Sequence, residues 1–247
     1  MDVISGRFTS VDPMAEKYYT ISPYVYCANN PIKYIDPDGK DWRIRTQYNH
    51  ETGKIEYHMT VNAVLYNNSS QNNIDMAALA TNITKQVNDV YNINKEGFVS
   101  KIDFNLKVVN SVDEIGERDH VVQIVDQNKL AKANTDNEVA AEASLNGLSI
   151  RLGTNLVGAI SEGENTRSFP HELGHTGGLR DLPENKNDVD NLMMQAYYVN
   201  RLKGNFNKST QLDHGQIKLI RDNYIHNRLH LYSPLRTRWY GKKYLTR

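Results

Sequence analysis

One cysteine, Cys27, stands among the 247 residues, so no disulfide can form within the chain and no zinc site built on several cysteines is available. No stretch of apolar residues approaches the length a transmembrane helix needs. The N-terminal residues 1–19 lack a basic region followed by an apolar one, and no signal peptide is expected in this chain. Neither sign of charge is in excess: 29 Lys and Arg against 29 Asp and Glu leave a formal net charge of zero. A broadly basic surface is therefore not indicated, and no nucleic-acid partner is expected.

What is present fits a soluble α+β protein. A hydrophobic fraction of 39% with 23% charged residues is ordinary for a globular chain, here one large domain or a small one with an extension. Residues 1–40 differ from the rest. Asp12-Pro13, Ser22-Pro23, Asn30-Pro31, Asp36-Pro37 and Asp38-Gly39 place a turn signal every few residues, with short Tyr-rich pieces between them. Such a segment is too small to close a core and reads as the end of something larger. Residues 41–247 form the second unit.

From residue 42 the apolar periodicity separates strands from helices. Segments 42–48 and 55–66 alternate and flank Glu51-Thr52-Gly53-Lys54, a β-hairpin. Segment 74–92 has helical spacing, with Asn72 or Asn73 as N-cap. Strands are expected at 102–109, 120–126 and 147–151, and a loop at 128–146. A helix is expected around 167–177, mostly loop over 179–208, and a last helix at 210–227 capped by Ser209 or Thr210.

The stretch from Ser168 to Asp181 carries the chemistry. His171 and His175 are four apart and share a helix face, so both imidazoles can reach one ion. Glu172, next to them, can take a proton from a water activated by that ion. Pro170 lies near the helix start, where its missing N–H does least harm. Gly177-Gly178 offers the positive φ that ends a helix, after which Asp181 can swing back as a third ligand. Three protein ligands plus water is the catalytic pattern of zinc; structural sites usually have four. A solvated helix face carrying two histidines is the plain alternative, and the glycine at 178 and acid at 181 weigh against it.

Met193 follows twelve residues after Asp181, within Asn191-Leu192-Met193-Met194-Gln195. Here the sequence resembles the metzincin clan of zinc peptidases, which join H-E-x-x-H-x-x-G-x-x-H/D to a downstream methionine turn. The resemblance implies a metzincin-like zincin: a mixed sheet with a long helix, an active-site helix, the methionine turn and a C-terminal helix. It further implies Zn2+ as cofactor, His171, His175 and Asp181 as ligands, Glu172 as general base, and Met193, with Met194 as second candidate, as the floor beneath them. Most of the clan has His as third ligand; Asp181 places this chain with the snapalysin-like minority. Strand 147–151 becomes a candidate sheet edge on which an extended substrate can add as a further strand. Tyr197 and Tyr198 depart from the spacing of the clan's oxyanion-stabilising tyrosine and are read as packing residues.

The N-terminal blocks from Gly6 to Pro13 and from Tyr24 to Gly39 resemble the end of the RHS repeat-associated core of bacterial polymorphic toxins. Pro31, Asp36, Pro37 and Gly39 match that family's boundary motif P-x-x-x-x-D-P-x-G-L, while Lys40 replaces its Leu. The resemblance implies a zinc endopeptidase that is the C-terminal toxin of such a protein, secreted or delivered to a target cell. Its partners would be a protein or peptide substrate and a cognate immunity protein; a monomer is expected. The basic, aromatic tail 228–247 is read as packing on the domain. Two other readings stand beside this one: a non-catalytic RHS-derived binding fragment with a vestigial metal site, and a toxin of another class such as a nuclease.

Overall fold

The computed structural model describes residues 42–116, 119–130, 139–183, 188–203, 205, 207, 209–226 and 228–229. The segment 1–40 with its RHS-like blocks, Lys40, and the basic tail beyond residue 229 lie outside the described residues.

Trp42–Asn49 (β1) and Lys54–Asn67 (β2) form the expected antiparallel hairpin, turned at Gly53 with φ 67°. The first part of β2 alternates in burial because one face lies on the core; from Ala63 to Leu65 both faces are covered. Met76–Tyr91 (α1) buries Leu79, Ile83, Val87, Val90 and Tyr91, a stripe at helical spacing. Each such aliphatic side chain contributes about 1.5–3 kcal/mol on full burial. Neither Asn72 nor Asn73 caps α1. The cap is Asp75, directly before the first turn, whose carboxylate accepts from the backbone N–H of Ala77 and Ala78 at 3.1 and 2.9 Å.

Ile93–Lys95 (β3) and Phe98–Val109 (β4) make a second hairpin about Gly97, φ 81°. The strand expected at 102–109 thus begins four residues earlier. His120–Val125 (β5) is buried throughout, as a strand with parallel neighbours on both sides should be. Ala141–Ala143 (β6) lies inside the expected loop 128–146, where small side chains gave no alternation to read. Ser149–Gly153 (β7) pairs with β5 on one side and β6 on the other. The expected edge at 147–151 is therefore an inner strand, and β6 is the edge. The strands run in the order β3-β4-β2-β5-β7-β6, with β1 on β2 beside the start of β5; β2, β4, β5 and β7 are parallel. The architecture is α+β with a mixed sheet.

Thr154–Ser161 (α2) follows β7 directly and buries Leu156, Val157 and Ile160. Ser168–Thr176 (α3) matches the helix expected at 167–177. Ala196–Lys203 (α4) falls in the stretch expected as loop; among its described side chains Val199 is fully buried and Tyr197 is exposed. Tyr197, expected to pack in the core or on the surface, lies on the surface near the Arg201 guanidinium, 5.9 Å from its ring. His214–Ile225 (α5) starts later than expected. Asp213 caps it in a reciprocal box with Gln216, in place of Ser209 or Thr210. No helix among the described residues is long and apolar enough to cross a membrane.

The core lies between the sheet and α1, α2 and α3, and Phe104 on β4 meets Phe169 on α3 edge-on at 5.8 Å. That packing, with Trp42 donating to Thr176 Oγ1 at 3.2 Å, fixes α3 against the sheet.

Candidate metal centre

The sequence of α3 divides its faces. Phe169, Leu173 and Thr176 are buried against the core, and His171 and His175 look out from the other side. Asn165 begins the helix: its Oδ1 accepts from the N–H of Arg167 and Ser168 at 3.3 and 3.0 Å. Tyr91 from α1 donates to the carbonyl of Pro170 at 3.0 Å, a bond that locks this first turn in place.

The helix ends in a Schellman motif. Gly178 N–H reaches the carbonyl of His175 at 2.9 Å, and Leu179 N–H that of Gly174 at 3.0 Å. Of the two glycines expected to stop the helix, Gly178 alone takes positive φ, at 87°; Gly177 keeps φ −78°. A Cβ on Gly178 would lie 2.2 Å from Asn223 Nδ2, so both space and conformation demand glycine there. The chain then doubles back. Leu182 N–H bonds to the carbonyl of Met193 at 2.9 Å, which pins Asp181 beside the helix it has just left.

His171, His175 and Asp181 come together as a group whose ligand atoms all lie within 4.8 Å of one another. Asp181 Oδ1 stands 3.2 Å from His171 Nε2 and 3.7 Å from His175 Nε2. The imidazoles meet edge to face, with centroids 4.7 Å apart. Each Nδ1 faces a backbone carbonyl: Leu192 O at 2.8 Å for His171 and Leu179 O at 2.7 Å for His175. A carbonyl only accepts, so each Nδ1 carries the proton and, in the neutral ring, Nε2 keeps its lone pair. Two imidazole lone pairs and a carboxylate oxygen converge on one point, an arrangement that suits a divalent cation. The donor set of two nitrogens and one oxygen fits zinc.

Charge around the site follows from burial. Burial pushes the Glu172 carboxyl up to about 7; Asp181 adds to the rise and His171 offsets part of it. Burial lowers His175, helped by the charge of His171, which favours the neutral ring, the form that can bind a metal. Burial alone would raise Asp181, but hydrogen bonding and charge from His171, with His175 and Gln195, hold it below the ordinary carboxylate range.

Met193 and Met194 are both buried, and Met193 lies against α3. A Cβ on Gly174 would stand 2.8 Å from Met193 Sδ, so glycine at 174 is what lets the methionine approach the helix. Asn191 shapes this turn: its Oδ1 accepts from Met193 N–H at 2.9 Å, and its amide pairs reciprocally with Gln216 of α5. Motif reading missed Asn191, and it missed Arg167. The Arg167 side chain is buried, donates from Nε to Ser209 O at 2.8 Å, and donates from Nη2 to Leu192 O at 2.6 Å and to Met194 O. Burial lowers its pKa to about 10, which leaves it charged at neutral pH. An arginine just before the helix that carries the two histidines has no local signal of this role, because its three acceptors come from segments far along the chain.

No protein-family model matches the chain, and no curated relative does. Among solved structures the chain is similar to archaemetzincin from Methanopyrus kandleri, with a TM-score of 0.42 and 15% identity over 66% of this chain and 96% of that one. It is also similar to a chain in a chaperone–substrate complex, with a TM-score of 0.39 and 13% identity over 76% of this chain and 38% of that one. The functional reading rests on the geometry of the site.

Proposed function

We propose that this chain is a metzincin-like, zinc-dependent endopeptidase. The observation that carries the reading is the convergence of His171 Nε2, His175 Nε2 and Asp181 Oδ1 beside a buried glutamate on the same helix. In this reading the three side chains hold zinc, and Met193 forms the floor beneath them. When bound, zinc supplies Lewis acidity that polarises a carbonyl and brings the pKa of water down to about 7.

Glu172 moves the proton. Its carboxylate takes one from the attacking water and passes it to the departing amine. A carboxyl poised near 7 is suited to doing both at neutral pH. The Leu192 and Leu179 carbonyls keep both imidazoles in the tautomer that binds metal. β6, the sheet edge among the described strands and packed beside α3, is where an extended peptide would add as a further strand.

The RHS-like blocks in residues 1–40 support a more specific role: the peptidase is the toxin at the end of a polymorphic toxin, delivered to a competitor and held in check by an immunity protein. Expression of wild type and Glu172→Ala in a sensitive bacterium tests the role; arrest by both or by neither removes it. The chemistry is tested separately. Purified protein should retain about one zinc per chain, a three-ligand site's stoichiometry, and should cleave an unfolded protein where Glu172→Ala does not. Equal cleavage by both, or no retained metal, would sink the peptidase reading.

A further inference from the structure

A groove of about 450 Å³ opens beside the candidate metal site, and Asp181 lines both. Its walls come from the turn that leaves α3, the loop between β6 and β7, and α5. The chemistry is mixed in an informative way. Leu145, Leu179, Leu182 and Leu219 supply an apolar lining, with Leu219 43% exposed at the surface. Arg180 and Arg228 also line it, are exposed, and form no ion pair among the described residues. Among the described residues the single acid on these walls is Asp181, whose charge is committed to the metal in the reading above.

We infer that this groove selects substrates by a carboxylate placed next to the bond to be cut. The inference rests on the peptidase reading, because a groove sharing a wall with the metal site receives a residue that flanks the scissile bond. Guanidinium is the group best shaped for a carboxylate, which it grips through two parallel N–H···O bonds. The leucines would cover the methylenes of a glutamate side chain. A lysine or arginine in this place would meet two like charges.

The carboxylate can belong to an acidic side chain or to the end of a peptide, and the test separates these sources. Zinc-loaded full-length protein is given quenched-fluorescent peptides with Glu, Gln or Lys on either side of the cleaved bond, each with a free or an amidated C-terminus. The expected result is kcat/KM about tenfold higher for Glu than for Gln, the scale of discrimination a charge-assisted contact gives. In Arg180→Gln/Arg228→Gln that ratio falls towards one, and in Arg228→Glu preference moves towards Lys. Preference that survives amidation assigns the groove to a side chain; preference that amidation abolishes assigns it to a chain terminus. Equal rates for free and amidated Glu, Gln and Lys peptides overturn the inference and leave the peptidase reading standing. Should none of these peptides be cut, the peptidase reading is still judged by cleavage of unfolded protein and by retained zinc, and the groove by binding of the same labelled peptides to Glu172→Gln. Tighter binding of the carboxylate, lost when both arginines are replaced, upholds it; indifference overturns it.

Discussion

Arg167 and His171 donate to the same acceptor, the carbonyl of Leu192, at 2.6 and 2.8 Å. One carbonyl thus joins a buried cation, a candidate metal ligand and the methionine turn. Arg167 also holds Met194 O and Ser209 O, so it ties α3 to two later segments at once. Replacing it with Met takes this donor from the Met194 and Ser209 carbonyls and leaves Leu192 O to His171 alone, which loosens the orientation of His171. The expected outcome for Arg167→Met is weaker zinc binding by about 10- to 100-fold, the usual effect of removing a group that orients a ligand. Competition with a chelator measures it, and the visible spectrum of the cobalt-substituted protein reports a changed ligand field. Arg167→Lys, which keeps charge but not the fork, should fall between. Unaltered affinity in both variants refutes the coupling.

The two halves of this arrangement differ in how far the sequence displays them. His171, Glu172 and His175 were legible because four-residue spacing on a helix is a local fact. Asp181 and Met193 were legible through the order of a known motif. Arg167 and Asn191 were not, since the carbonyls Arg167 holds and the Gln216 amide that fixes Asn191 lie 25 or more residues away and only the folded chain brings them close. Helix starts failed for a related reason: several Asn, Ser and Thr residues precede α1 and α5, and the cap went in each case to an aspartate one position before the helix. β6 escaped because two alanines flanking a glutamate leave no alternation to see, and α4 because eight residues are too few for a helical period to stand out from the polar stretch around it.

Asp181 is expected to be indispensable for metal retention. Asp181→Ala removes the carboxylate on which both Nε2 atoms converge, leaving two imidazoles to hold the ion. After dialysis the variant should hold far less zinc than wild type by elemental analysis, while its circular dichroism stays native because Asp181 is 40% exposed at the side chain. Undiminished zinc would remove Asp181 from the ligand set.

Glu56 gives a pH prediction away from the site. Its carboxylate accepts from Gln47 Nε2 at 2.7 Å and from Asn49 Nδ2 at 2.8 Å, and these bonds lower its pKa to about 2. A depressed carboxyl favours the folded state above its ordinary value of 4.5, and that contribution fades as pH falls towards 2. The stability gap between wild type and Glu56→Gln should therefore be largest near neutral pH and shrink on acidification through this window. Denaturant melts at several pH values measure the gap. A gap that widens in acid contradicts the assignment.

Gly174 and Met193 form a pair that a double-mutant cycle can test. Alanine is ordinarily the better helix former, by about 1 kcal/mol over glycine in a helix interior. At 174 that preference should reverse, because the added methyl would stand 2.8 Å from Met193 Sδ and 3.4 Å from its Cε. Crowding a packed core in this way costs about 1–3 kcal/mol. Gly174→Ala is thus expected to destabilise wild type yet be neutral or stabilising in a Met193→Ala background, where the methyl has room. Thermal and urea denaturation of the four proteins gives the coupling energy. Equal costs in both backgrounds would mean that Met193 does not press on the helix, and the floor beneath the metal site would have to be sought elsewhere. Zinc affinity of the same four proteins adds a functional axis: if the contact also sets the height of the floor, the double variant recovers stability without recovering affinity.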